Sequence, residues 1–368
     1  MSSFALQGSN AHSILVLIVS KMDETDKKLL NLLQADFPLV PEPFAAIGED
    51  LGIAEADVLE RIGRLKADKI IRQISAIFDT RALGYASSLV AARVPAGRLE
   101  EAAAVINGHP GVSHNYRRND AFNLWFTIAV PPDSRLGLEK TVERLGELAG
   151  AESIRLLPTL RLFKIGVKLD MTGEGDPANQ TETPAYTDKE RAESLKTPIT
   201  EGEIRVIRVI QKDFPIVPRP YDGLAKMAGL SLGAFLDTAR RFIERRQLRR
   251  VAAVLHHRAA GFKANAMGIW AVPPDQVEEV GVTMAGFAAV SHCYLRPTYP
   301  DWPYNVFTMV HGRNADECEA ILESIAEKTG IREMKAIYST REYKKVRVSY
   351  FTPETYEWEE KHGSPVPA

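Results

Sequence analysis

Hydrophobic positions change their period within each half of this chain, and both halves change it in the same order. Leu29, Leu30, Leu32 and Leu33 recur near a 3.6-residue period, which predicts a helix, and Asp23 and Asp26 sit where acids suit a helix start. The prolines between Phe37 and Pro43 break that helix. Val58, Ile62 and Leu65 then line one face of a helix over about residues 55–67, and an extended wing begins over 70–76. This winged helix-turn-helix pattern returns over 204–253. Beyond it the elements alternate differently. Residues 85–94 read as a strand, 99–107 as a helix, 112–118 and 123–130 as strands, 135–149 as a helix and 154–168 as an extended stretch. That is the βαββαβ order of a ferredoxin-like domain, and it recurs between about 262 and 350.

The repetition extends to the residues. Gln34-Ala35-Asp36-Phe37-Pro38-Leu39-Val40-Pro41 returns as Gln211-Lys212-Asp213-Phe214-Pro215-Ile216-Val217-Pro218. Val112-Ser113-His114-Asn115-Tyr116-Arg117-Arg118 returns as Val290-Ser291-His292-Cys293-Tyr294-Leu295-Arg296. One unit of about 150 residues, a plausible folding unit, occurs in tandem. Such a fusion implies an intramolecular pseudo-dimer whose halves can specialise, and leaves a further homodimer open. The expected organisation is winged helix 22–76, ferredoxin-like domain 77–170, linker 171–199, winged helix 200–253, ferredoxin-like domain 254–350 and a peripheral tail 351–368. Residues 1–21 have no counterpart before the second copy. Met22 followed by acids would make a natural start, so they read as a non-native or disordered extension.

Composition narrows the class. The 368 residues carry a net charge of -2 and are 45% hydrophobic, enough for more than one core and too balanced to suggest a nucleic-acid partner. Cys293 and Cys318 are the only cysteines, which suits a reducing cytoplasm. The apolar run 14–19 is too short to span a bilayer and no basic segment precedes it, so neither a membrane helix nor a signal peptide is expected. DNA reading is not expected either. The first recognition helix opens on Ala54-Glu55-Ala56-Asp57, acids where phosphate would lie, and the second on the apolar Ser231-Leu232-Gly233-Ala234-Phe235. Arg240, Arg241, Arg245 and Arg246 form a basic cluster that suits a solvated face as well as a phosphate contact.

The candidate chemistry lies on one strand of each copy. Alternation puts His114, Tyr116 and Arg118 on one face, and His292, Tyr294 and Arg296 on the matching one. A polar pair at the repeat interface would explain one histidine. A matched trio in both copies fits a ligand cleft better. The wings add Arg72, Arg249 and Arg250, and the segment His256-His257-Arg258 falls just before the Gly261-Phe262 strand entry. His257 has Thr80 as its counterpart, so that histidine is specific to copy two. Several arginines suit a ligand bearing many carboxylates, and a histidine can move a proton near neutral pH or ligate iron. No CxxC pair, Gly-rich phosphate loop or G-x-S-x-G elbow is present, which weakens zinc-hydrolase, nucleotide and serine-hydrolase readings.

A winged helix followed by βαββαβ, with Val58-Leu59-Glu60-Arg61-Ile62-Gly63-Arg64-Leu65, resembles the Lrp/AsnC family. That implies an α+β fold of two tandem copies, with the two sheets facing each other. Within that fold, Gly111-Val112-Ser113-His114-Asn115-Tyr116-Arg117-Arg118 and Asn123-Leu124-Trp125-Phe126-Thr127 resemble the A-type subunit of siroheme decarboxylases. His257-Arg258, Gly261-Phe262 and Ser291-His292-Cys293-Tyr294-Leu295-Arg296 resemble the B-type subunit. The resemblance implies removal of two acetate carboxyls from siroheme, giving 12,18-didecarboxysiroheme for heme or d-type heme synthesis. It implies catalysis by His257, His292 and His114. Arg72, Tyr116, Arg118, Arg249, Arg250, Arg258, Tyr294 and Arg296 would bind the substrate. His257 or His292 is the candidate ligand of the substrate iron, and no cofactor beyond that iron and no structural metal is expected. The alternatives are an Lrp/AsnC-like regulator sensing a tetrapyrrole or other metabolite, and a non-catalytic tetrapyrrole carrier.

Overall fold

The computed structural model describes residues 22–165, 188–255, 264–312 and 314–363. Residues 1–21, His257 and Arg258 lie outside them. In chain order the strands of the first repeat are β1 Ile71–Phe78, β2 Ala86–Arg93, β3 Val112–Arg118, β4 Leu124–Val130, β5 Ser153–Leu157 and β6 Arg161–Ile165. Those of the second are β7 Leu248–Leu255, β8 Ala264–Trp270, β9 Val290–Leu295, β10 Val306–Gly312, β11 Met334–Ile337 and β12 Ser339–Lys345. The chain forms two units: one gathers the winged-helix segments of both repeats, the other both ferredoxin-like segments.

In the winged-helix unit, capping sets the helix starts. Asp26 N donates to Asp23 Oδ1 at 2.7 Å ahead of the helix Glu24–Ala35, and Glu203 N donates to Thr200 Oγ1 at 3.2 Å ahead of Glu201–Ile210. The return bonds complete both capping boxes. The wings do not stay with their own repeats. β1 pairs antiparallel with β7. The repeated Asp-Phe-Pro motif locks this exchange: Phe37 N donates to Val251 O at 2.7 Å and Phe214 N to Ile74 O at 2.9 Å. The rings of Phe37, Phe214 and Tyr221 then meet edge-to-face at 5.5 to 6.3 Å in a shared core. The expected linker contains a docked helix, Asp188–Ser194. Ser194 Oγ donates to Arg245 O at 2.6 Å and Arg191 pairs with Asp79 at 3.0 Å, so local polarity concealed a segment that tertiary bonds hold.

In the ferredoxin-like unit two five-stranded sheets run β12-β3-β4-β2-β5 and β11-β8-β10-β9-β6. The middle strands and β5 or β11 keep the ferredoxin order, and the fifth strand of each sheet comes from the other repeat. The single extended stretch expected over 154–168 is therefore two strands with different partners. β5 pairs with β2 of its own copy, and β6 crosses to β9. β12 makes the reciprocal crossing to β3. Lysines pin both crossings, Lys164 Nζ donating to Phe287 O and Lys344 Nζ to Asn107 O, each at 2.9 Å. Each sheet buries one face under its own helices. The other faces meet over Trp125, Met267, Ile269, Trp302 and Phe307, with the Trp125 and Trp302 rings 5.4 Å apart. The tail is not peripheral. Its helix Pro353–His362 buries Trp358 with its ring 4.5 Å from that of His109, and Glu359 accepts from Ser134 Oγ and Arg135 N.

Candidate active site

Asn115 turns to the helix side of its sheet, donating to Asn107 Oδ1 at 2.9 Å, and Cys293 does the same opposite Gly281 O. Their neighbours therefore point to the other face. There His114 stacks on Tyr116 with ring centroids 6.2 Å apart, and the Arg118 guanidinium lies 5.3 Å from the Tyr116 centroid. The second copy repeats the ladder: His292 and Tyr294 at 5.9 Å, then Arg296 at 5.0 Å from Tyr294 and 5.3 Å from Phe307. Six predicted site residues thus form two matching His–Tyr–Arg rows, one in each copy. Arg72, Arg249 and Arg250 lie half-buried on β1 and β7 in the winged-helix unit.

The guanidiniums at the ends of the stacks are the electrostatic anomaly. Arg118 Nε and Nη1 and Arg296 Nε are buried with no hydrogen-bond partner among the described residues. Arg296 Nη1 donates to Leu157 O of the first repeat, a neutral acceptor. Burial pulls both guanidinium pKa values down to about 10, the response of cations removed from water without a facing carboxylate. A buried cation left uncompensated costs stability until an anion arrives. Burial also pushes the Tyr116 phenol up to about 12, with Glu342 on β12 adding to it.

The histidines are not equivalent. Ser113 Oγ lies 3.0 Å from His114 Nδ1 and 2.7 Å from Thr127 Oγ1. Ser291 Oγ lies 2.8 Å from His292 Nδ1 and 2.6 Å from His311 Nε2. By strand register His311 stands where the first copy has Ala129. Burial and then the neighbouring His311 lower the His292 pKa to about 4, so His292 rests neutral at neutral pH.

A cavity of about 340 Å³ opens over the first copy's sheet. Arg81, Ser113, Thr127 and Thr159 line it, together with Arg296 from the second repeat. It is large enough for carboxylate-bearing arms of a tetrapyrrole. His257 and Arg258 lie outside the described residues. Sequence reading passed over Ser113 and Ser291, although both stand in the repeated Val-Ser-His motif. It also passed over His311 and Lys345. His311 has no counterpart to flag it, and Lys345 reaches the register position opposite His114 only because β12 crosses between repeats.

A doubled Lrp-like ligand-binding fold, with unneutralised arginines on its inner strands, defines a protein that takes a polyanionic ligand. Two family models match twice each. One is an AsnC-like ligand binding domain, over 82–164 and 259–344; the other is a siroheme decarboxylase NirDL-like HTH domain, over 26–72 and 203–249. A siroheme decarboxylase from Hydrogenobacter thermophilus is 43% identical over 331 residues, covering 90% of this chain and 96% of that protein. A siroheme decarboxylase beta subunit from Methanosarcina barkeri is 43% identical over 146 residues, spanning 40% of this chain and 96% of its own length. The crystal structure of the siroheme decarboxylase NirDL aligns with a TM-score of 0.73 and 38% identity, covering 92% of this chain and 98% of that one. It is also solved in co-complex with an iron-uroporphyrin III analogue, at the same similarity. This chain belongs to the siroheme decarboxylase family, with two subunit-like repeats fused in one polypeptide.

Proposed function

We propose that this chain removes the carboxyl groups of two acetate arms of siroheme, giving 12,18-didecarboxysiroheme for heme synthesis. The observation that carries the reading is the pair of buried, uncompensated guanidiniums, Arg118 and Arg296, at the ends of the His–Tyr–Arg stacks. Siroheme presents eight carboxylates around a flat macrocycle. Arg118, Arg296 and Arg81 would clamp carboxylates through charge-assisted bonds, and Tyr116 and Tyr294 would flank the ring. Arg72, Arg249, Arg250 and Arg258 are proposed as further carboxylate contacts. His292 would give a proton to the carbon left behind, with His257 or His114 as the other candidate donors. The macrocycle accepts electron density as carbon dioxide departs, so the reaction needs no cofactor beyond the substrate iron.

DNA binding is not expected. Three of the four arginines of the basic cluster are ion-paired within the protein: Arg240 with Asp237 at 2.8 Å, Arg245 with Glu203 at 2.7 Å, and Arg246 with Glu190. In the first recognition helix Arg61 is held by Asp23, Asp26 and Asp57. We place the chain in the cytoplasm as a pseudo-dimer within one polypeptide. Anaerobic incubation with siroheme followed by mass spectrometry tests the activity. The expected product is lighter by two carbon dioxide units without added nucleotide. Bound siroheme of unchanged mass would leave only a carrier.

A further inference from the structure

We propose that Ser291 and His311 form a proton relay that keeps His292 neutral as it gives up its proton, so that turnover belongs to the second repeat's side of the cleft. The proposal rests on the reading of His292 as proton donor. One hydroxyl, Ser291 Oγ, bridges two imidazoles at 2.8 Å and 2.6 Å, and its approach to Met309 O is longer, at 3.3 Å. Ser291 is only 6% exposed, so water does not reach that hydroxyl freely. His311 is half-buried near the end of β10 and pairs in register with the exposed Asn265, which puts its ring nearer the rim. The first repeat cannot do the same. Ser113 passes its second bond to Thr127, whose hydroxyl turns back to His114 Nδ1 at 3.4 Å rather than on to a second imidazole, and Ala129 stands at the position of His311.

The chemistry requires such a supply. Loss of carbon dioxide breaks the bond between methylene and carboxylate carbons and leaves an electron pair on the methylene carbon, delocalised into the macrocycle. His292 Nε2–H supplies the proton that makes the methyl group. As it leaves, His292 Nδ1 takes the Ser291 hydroxyl proton, and Ser291 takes the proton on His311 Nε2. His311 recovers one from water at Nδ1. Each pass consumes one carboxylate and one water-derived proton and yields carbon dioxide and a methyl group, with nothing oxidised or reduced. Two arms require two passes; between them His292 Nε2 takes a proton from the cleft while its Nδ1 proton returns through Ser291 to His311 Nε2 and His311 Nδ1–H gives one back to water. The relay also spares His292 from ending as an imidazolate. His311 acts through its neighbours and is a positioning and supply residue rather than a contact to substrate.

The test is anaerobic single turnover with siroheme for His311→Ala and Ser291→Ala. Each is expected to slow decarboxylation by about 10-fold or more, below the ~10²-fold or greater loss of removing the donor itself. Siroheme affinity, read by absorbance titration, stays unchanged, and added imidazole restores part of the His311→Ala rate. A folded His311→Ala at the wild-type rate overturns the relay, as does a rate loss matched by an equal loss of affinity. His292→Ala separates the two readings. If it keeps its rate, the donor reading fails; if it is slow beside a normal His311→Ala, the relay alone fails. His311→Gln can bond Ser291 without carrying a proton, and it must be as slow; it covers an Ala variant that does not fold.

Discussion

Arg296 donates through Nη1 to the main-chain carbonyl of Leu157, so a side chain of the second repeat is fixed by the backbone of the first. The same guanidinium leaves Nε buried without a partner and shares a cavity lining with Arg81. The Arg296 guanidinium held this way awaits an anion. Arg296→Ala should weaken siroheme binding by 10-fold or more, since a hydrogen bond to a charged group contributes about 1.5–3 kcal/mol. The decarboxylation rate at saturation should fall far less. Absorbance titration beside single turnover checks the split, and an intact affinity would remove Arg296 from the substrate site.

Arg118 offers the converse measurement. Its Nε and Nη1 are buried without a hydrogen-bond partner among the described residues, so Arg118→Met should stabilise the ligand-free protein by on the order of 1 kcal/mol while weakening siroheme binding. In a domain of this size that is a rise of about 2–4 °C in melting temperature. A lower melting temperature with unchanged affinity would make Arg118 a structural residue.

The histidines should separate by copy. His292→Ala and His257→Ala are each expected to lower the decarboxylation rate by at least ~10²-fold with binding retained, and His114→Ala by less. His114 Nδ1 meets the hydroxyls of Ser113 and Thr127, whereas His292 is bridged through Ser291 to a second imidazole. Melting curves must accompany the rates. Near-normal turnover in the folded His292 variant beside an inactive His114 variant would move the chemistry to the first repeat.

His109 predicts acid sensitivity. It is fully buried, its Nδ1 accepts from Gly111 N at 3.0 Å, and burial pulls its pKa down to about 3. The folded-state value is depressed, so the unfolded chain takes up the proton first as pH falls. Its contribution is intact above the ordinary value near 6.5 and declines toward pH 3, by at most ~1.4 kcal/mol per pH unit. Urea unfolding at pH 7 and pH 5 should therefore show a loss of up to about 2 kcal/mol from this residue. His109→Gln should flatten that slope, and an unchanged slope would assign acid sensitivity elsewhere.

Gly111 is a packing constraint in the same turn. A Cβ there would collide with the Ala129 main-chain oxygen, which cannot rotate away, and would sit 3.0 Å from the His109 ring. Gly111→Ala should destabilise by ~1–3 kcal/mol, the cost of overpacking. A melting temperature within a degree of wild type would show that the turn can shift.

The repeat was legible as amino acids, and with it the order of helices and strands and the two His–Tyr–Arg ladders, because strand alternation is a local rule. Helix starts were legible for the same reason at Asp23, whose side chain caps the backbone three residues on. Which repeat each strand serves was not. β6 and β12 carry ordinary strand patterns, and pairing with the other repeat's sheet depends on backbone bonds formed across long stretches of chain. The helices Asp188–Ser194 and Pro353–His362 were missed because their ties, Arg191 to Asp79 and Trp358 to His109, come from distant residues. The sequence by itself determined the fold class, the doubling and the inventory of imidazoles and guanidiniums. Only the tertiary structure decided that Arg118 and Arg296 are buried without a counter-charge among the described residues and that Ser291 joins His292 to His311. Partnership and burial are properties of the space between strands, and residue order does not encode them locally.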